Sequence, residues 1–174
     1  MMGDVVRNDT ATVEQSYLEC KKIAKESSSS FLRAFKTLPE AKRDGINALY
    51  AFCRRADDVA DGDWLPDFSS FTPQQMGSLR LRALQRSKYL DEKHRSRGTL
   101  DHDAHIIKLC ALIYLRDNIQ KGVNDNYPKE SFFLAFWDTI EKFNIPAQHL
   151  HSLIDGMEDD LYPTNYRTYE DLQR

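Results

Sequence analysis

Apolar residues recur along this chain three and four positions apart, and no stretch alternates as a half-buried strand would. Val13, Tyr17, Cys20 and Ala24 mark one face of a first amphipathic helix. Pro39 suits the first turn of a second helix, which runs to about Asp61 with Leu49, Phe52, Cys53, Ala56, Val59 and Ala60 as its apolar arc. Gly62-Asp63-Trp64-Leu65-Pro66-Asp67 ends it, and residues 62–75 read as a loop. A basic, solvated helix is expected from Pro73 to Glu92, followed by a polar joint at Arg95-Ser96-Arg97-Gly98. Further helices are expected near 101–121, 129–143 and 146–161. The last starts at Pro146 and aligns Leu150, Leu153, Ile154, Met157 and Leu161 on one side. Another amphipathic helix is expected to begin near Tyr169. The pattern predicts an all-α fold without internal repeats: a flexible N-terminus over 1–12 and a helical domain over 13–174.

The second helix carries more polar character than solubility requires. Tyr50, Arg54, Asp57 and Asp61 are spaced i, i+4, i+7, i+11, so they share an arc of about 60°. Asp44, Arg55 and Asp58 fall on the remaining side, expected to be solvated. Asp57 and Asp61 stand one turn apart, roughly 6 Å. Their repulsion is about 0.7 kcal/mol in water and about 3 kcal/mol at an effective dielectric of ~20. A cavity-facing pair therefore calls for a cation, and paired hard oxygens with open positions suit Mg²⁺. Tyr50 adds a hydroxyl and Arg54 a planar donor fork matched to phosphate oxygens. The competing reading of the same residues is a solvated acidic helix end.

Composition narrows the setting. With 174 residues and 41% hydrophobic content, the chain can bury a sizeable single core. A net charge of −3 argues against a nucleic-acid partner. Cys20, Cys53 and Cys110 are widely spaced and form no disulfide or zinc pattern, which fits a reduced, cytoplasmic location. No apolar run reaches transmembrane length, so contact with a membrane is expected to be peripheral.

Three smaller features have competing readings. Asp101-His102-Asp103-Ala104-His105 contains metal-ligand types, but an acidic helix N-terminus explains it as well. His149 and His151 diverge on a helix and read as structural. Phe132, Phe133, Phe136, Trp137, Ile140 and Phe143 read as core, with the wall of a hydrocarbon tunnel as the alternative.

Taken in order, several blocks resemble the squalene/phytoene synthase family of head-to-head prenyltransferases. They are Ser27-Ser28-Ser29-Ser30-Phe31, Leu38-Pro39, Tyr50-Ala51-Phe52-Cys53-Arg54-Arg55-Ala56-Asp57-Asp58-Val59-Ala60-Asp61-Gly62, Leu153-Ile154-Asp155-Gly156-Met157-Glu158-Asp159-Asp160-Leu161 and Tyr166-Arg167-Thr168-Tyr169-Glu170-Asp171-Leu172. The resemblance runs from about Tyr17 to Arg174. It implies an all-α isoprenoid-synthase helical bundle with a central cavity, where two acidic motifs on facing helices hold Mg²⁺, or Mn²⁺ in its place. It also implies metal ligation by Asp57 and Asp61, and diphosphate contacts from Tyr50 and Arg54. Ser27, Ser28, Ser29 and Ser30 would be a turn closing over the phosphates. The catalytic set so implied is Asp57, Asp61, Arg54 and Tyr50.

The implied reaction joins two prenyl diphosphates. Geranylgeranyl diphosphate to phytoene is favoured, with farnesyl diphosphate to squalene or dehydrosqualene next. Two departures stand out. Relatives often carry His or Gly and a Lys in the serine turn, where this chain has serine throughout. The family's second carboxylate pair lies downstream of the Tyr166–Leu172 block, so the expectation is the N-terminal part of the domain, truncated before that motif and completed by a C-terminal segment or a complementing chain. Asp155 and Asp159, also four apart, are not at the family's second position. The alternative function is a non-catalytic scaffold or assembly factor of the same family. An elongase or cyclase ranks last, because Asp63-Trp64-Leu65-Pro66 stands where elongases place Arg-Arg-Gly.

Overall fold

The computed structural model describes residues 9–27, 34–94, 102–121 and 130–162. Among the described residues six α-helices and one short 3₁₀ turn occur, and no strand. The helices are α1 (Asp9–Ser27), α2 (Glu40–Asp61), α3 (Pro73–His94), α4 (His102–Asn118), α5 (Phe132–Phe143) and α6 (Ala147–Asp160). The all-α expectation holds, with ends shifted by a few residues. Helix α1 starts inside the stretch 1–12 expected to be flexible, and Pro39 precedes α2 rather than entering it. The region 62–75 is not wholly loop: it holds the 3₁₀ turn Phe68–Ser70 and the start of α3. The joint 95–98 and the expected helix near Tyr169 lie outside the described residues.

Helix α4 is the centre of one half of the molecule. From His105 to Leu115 almost every residue except Ile107 and Lys108 is buried, as a helix that is apolar all round must be. It packs on α2, α3 and α6. The other half is the triangle α1, α2 and α5. Phe52 of α2 stacks on Phe136 of α5 at 4.3 Å, and Phe133 stacks on Trp137 at 5.5 Å. Phe132, Phe133, Phe136 and Trp137 are all buried, so the aromatic run is core among the described residues. Phe143, at the end of the run, remains 38% exposed.

Polar residues fix the helix pairs. The Ser16 hydroxyl of α1 donates to the Ser131 carbonyl and accepts the Ala135 amide at 2.8 Å, bridging the first turn of α5. Tyr17 donates to Asp138 at 2.5 Å and lies 3.0 Å from the Thr139 hydroxyl. Where α2 crosses α5, a Cβ on Gly45 would stand 2.7 Å from the Phe143 ring, so any larger residue there requires that ring to shift. Thr72 and Gln75 form a reciprocal capping box at the start of α3, at 2.8 and 3.2 Å.

Helix α3 is exposed over most of its length, as its basic composition predicts, but one side of it faces the core. Leu79, Ala83, Ser87 and Leu90 form a buried stripe. Arg80, Arg82, Arg86 and Lys93 pair with Asp103, Asp117, Asp155 with Glu158, and Asp159, respectively. The charges that looked free are cross-links to α4 and α6. All three cysteines are free thiols. Burial pushes the Cys20 thiol up to about 12 and the Cys53 thiol to about 11. Among the described residues no helix is long and apolar enough to cross a membrane.

Candidate functional site

The acidic helix closes on Gly62, whose φ of 89° supplies the left-handed turn. The Asp58 carbonyl accepts the amides of Gly62, Asp63 and Trp64 at 3.0, 2.8 and 3.2 Å. Lys108 of α4 adds its ammonium to the Ala60 carbonyl at 2.8 Å, placing a cation at the negative end of the helix. The end that presents Asp57 and Asp61 is thus held from two sides. Lys108 is 48 residues away in sequence, and no local pattern marks it.

Burial on α2 covers Gly45, Asn47, Ala48, Ala51, Phe52, Ala56, Asp58 and Val59. Tyr50, Arg54, Asp57 and Asp61 fall on the other side of the helix cylinder. Tyr50 is half-buried, the Arg54 side chain is 30% exposed, that of Asp57 is 44% exposed, and Asp61 is exposed. The stripe therefore faces away from the core formed by the described residues. Asp58 corrects the expectation of a solvated position: its side chain is 8% exposed and sits between two guanidinium groups.

Arg54 links the two acids. One of its terminal nitrogens (Nη1) donates to Asp57 Oδ2 at 2.8 Å, and the other (Nη2) meets Asp58 Oδ1 at 2.6 Å. Arg55, also expected to be solvated, meets the second Asp58 oxygen at 3.1 Å and lies over the Trp64 ring at 5.2 Å. A buried carboxylate with two arginines on it is charge-compensated, as burial demands.

Of the serine turn, Ser27 closes α1, its hydroxyl donating to the Ile23 carbonyl at 2.8 Å. Ser28, Ser29 and Ser30 lie outside the described residues, as does the block 166–172. No group of three or more His, Cys, Asp or Glu is gathered for a metal among the described residues. What α2 offers is two accessible carboxylates beside an arginine. That donor set fits a hard cation which completes its shell with water and phosphate oxygens.

Two other clusters bring polar side chains together. A cavity of about 420 Å³ is lined by Arg82, Arg86, Arg116, Tyr89, Asp155 and Glu158 among others. Its arginines are already matched: Arg82 by Asp117, and Arg86 and Arg116 by Asp155 and Glu158. Glu158 is fully buried, a position sequence reasoning passed over because its partners are on other helices. Asp155 and Asp159 point to these cross-links; Asp159 meets Lys93 at 2.7 Å and His94 at 2.9 Å.

The second cluster lies in the 101–105 segment, where Asp103 is the acidic residue in the first turn of α4, as the reading of an acidic helix N-terminus expects. His102 and Asp103 are exposed, while His105 is buried with Nε2 2.9 Å from the Tyr162 hydroxyl. Tyr162 also stacks on His94 at 4.9 Å. His105 is a core histidine.

The comparisons with known proteins agree with one another. The 15-cis-phytoene synthase of Synechocystis sp. is 26% identical over 162 residues, covering 93% of this chain and 36% of the relative. That of Synechococcus elongatus is 24% identical, covering 93% and 40%. Phytoene synthase 1, chloroplastic, of Zea mays is 26% identical over 172 residues, covering 97% and 31%. The chain thus spans less than half the length of each. No solved structure gives a significant match. The model of the family described as squalene/phytoene synthase matches residues 24–174, which include the whole of the acidic helix and its closing turn, so this chain belongs to the squalene/phytoene synthase family.

Proposed function

We propose that this chain supplies the first acidic wall of a head-to-head prenyltransferase acting on geranylgeranyl diphosphate toward phytoene. In this reading Asp57 and Asp61 hold Mg²⁺, and Arg54 and Tyr50 bind diphosphate oxygens beside it. The supporting observation is the stripe on α2, where two accessible carboxylates follow an arginine that has one buried anchor. When bound, the metal would neutralise the diphosphate and draw off the leaving group. Arg54 presents a flat fork that a phosphate can share, and Tyr50 a hydroxyl on the same side one turn earlier. The serine turn, Ser27 to Ser30, would contribute hydroxyl donors in the same role, Ser27 on giving up its hydrogen bond to the Ile23 carbonyl. A farnesyl substrate, giving squalene or dehydrosqualene, is the nearest alternative. Because the chain spans 36% of the Synechocystis relative, the facing carboxylate pair is assigned to further sequence or to a complementing chain.

The test is binding of a thio-linked, non-hydrolysable geranylgeranyl diphosphate analogue to the chain by calorimetry. Binding should require Mg²⁺ and be lost in Asp57→Asn with Asp61→Asn. With labelled geranylgeranyl diphosphate in place of the analogue, adding the C-terminal portion of a cyanobacterial phytoene synthase should yield labelled product, with diphosphate released. Analogue binding that ignores both Mg²⁺ and the two substitutions would refute the assignment and favour a non-catalytic scaffold.

A further inference from the structure

Arg54 divides its guanidinium between an accessible carboxylate and a buried one, and the division is unequal. The contact to buried Asp58 is 2.6 Å, and that to half-exposed Asp57 is 2.8 Å. The Asp58 side chain is 8% exposed against 44% for Asp57, so less water screens the Asp58 contact. Asp58 is itself immobilised. Its other oxygen holds Arg55, which Trp64 covers, and its carbonyl collects the three amides that end the helix. A carboxylate fixed this firmly sets where a long, rotamer-rich side chain can go. We infer that Asp58 is a positioning residue, keeping Arg54 from closing on Asp57 as a bidentate pair and so leaving Asp57 open to a cation.

This rests on the proposed role of Asp57 and Asp61 as metal ligands. Without Asp58, Arg54 has one acid left on its own helix turn, and a two-pronged Arg–carboxylate pair is the geometry guanidinium favours. The arginine would then compete with the metal for Asp57. A general charge effect would also weaken cation binding when Asp58 is neutralised, but that effect would not depend on Arg54. The two explanations separate in a double-mutant cycle.

The experiment is Mn²⁺ titration of the full chain, followed by water proton relaxation, with thermal melts to confirm folding. Asp58→Asn should raise the Mn²⁺ dissociation constant about tenfold, equivalent to ~1.4 kcal/mol. In an Arg54→Gln background the same substitution should change it by less than about twofold. Equal effects in both backgrounds overturn the inference while leaving the metal assignment standing. Saturable Mn²⁺ binding that survives Asp57→Asn, or its absence in the unmodified chain, overturns the metal assignment and this inference with it. If Asp58→Asn does not fold, Asp58→Glu keeps the charge, moves the carboxylate by one methylene, and enters the same cycle: a dependence on Arg54 supports the inference, and none overturns it.

Discussion

Neutralising Glu158 should destabilise this molecule more than any other single charge change at the α3–α4–α6 junction. The side chain is 1% exposed, accepts from Arg86 Nε at 2.7 Å, and has the Arg116 guanidinium 3.3 Å away as a second ion-pair partner. Removing one partner of a buried pair costs about 3–5 kcal/mol, because the remaining charge is left uncompensated. Here the two arginines are 31% and 23% exposed and keep Asp155 at 3.1 and 2.7 Å. Partial hydration places Glu158→Gln at the lower end, about 3 kcal/mol. For a chain of this size that lowers the melting temperature by about 6–12 °C. The comparison is Arg82→Gln, which breaks a pair whose side chains are 45% and 39% exposed and should cost about 0–1 kcal/mol. Circular dichroism at 222 nm through a reversible thermal transition reads both. Replacing Glu158, Arg86 and Arg116 together by Met should recover most of the loss, since well-packed apolar groups match buried ion pairs. Equal shifts for Glu158→Gln and Arg82→Gln would refute the reasoning, for burial would then carry no weight.

Two further outcomes follow from local geometry. Gly62→Ala forces a Cβ into a φ of 89° and to 3.3 Å from the Lys108 ammonium, so stability should fall by about 1–2 kcal/mol. Gly62→Asn should fall less, because Asn tolerates that region, and reversal of this order in thermal melts would count against the strain argument. Burial lowers the His105 imidazole from its ordinary 6.5, Asp91 opposing the shift and His102 and Lys108 adding to it. The unfolded chain therefore takes up that proton first, and the stability contributed by neutral His105 is complete above 6.5 and lost as pH falls below it. His105→Gln, which keeps a polar partner for Tyr162, should flatten the decline in melting temperature as the solution is acidified below that value; parallel profiles would contradict the assignment.

The helices were legible in the sequence because their apolar spacing and their punctuation agree. Pro39 and Gly62 bracket α2, Pro146 opens α6, and Asn144, in the left-handed conformation, closes α5. The orientation of α2 was less legible. The apolar arc drawn through Leu49, Cys53 and Ala60 predicts a core face about a quarter turn from the observed one, which includes Asn47, Ala51 and Asp58. Alanine weighs little on a hydropathy scale, yet Ala48, Ala51 and Ala56 are fully buried, since small side chains let neighbouring helices approach closely. Asp58 could follow them inward because Arg54 and Arg55 compensate it from positions i−4 and i−3.

The same principle decided which charges the sequence could reveal. Local pairs such as Arg54 with Asp57 follow from spacing alone. Glu158 does not, because its partner Arg86 is 72 residues away and becomes a partner only once α3 lies against α6. In the stripe on α2 the local and the distant meet. The positions of Asp57 and Asp61 are given by helical pitch, while the hold on their helix end comes from Lys108 on α4. A motif can therefore name its candidate ligands without naming the residues that fix them, and in this chain Asp58 and Lys108 occupy that second role.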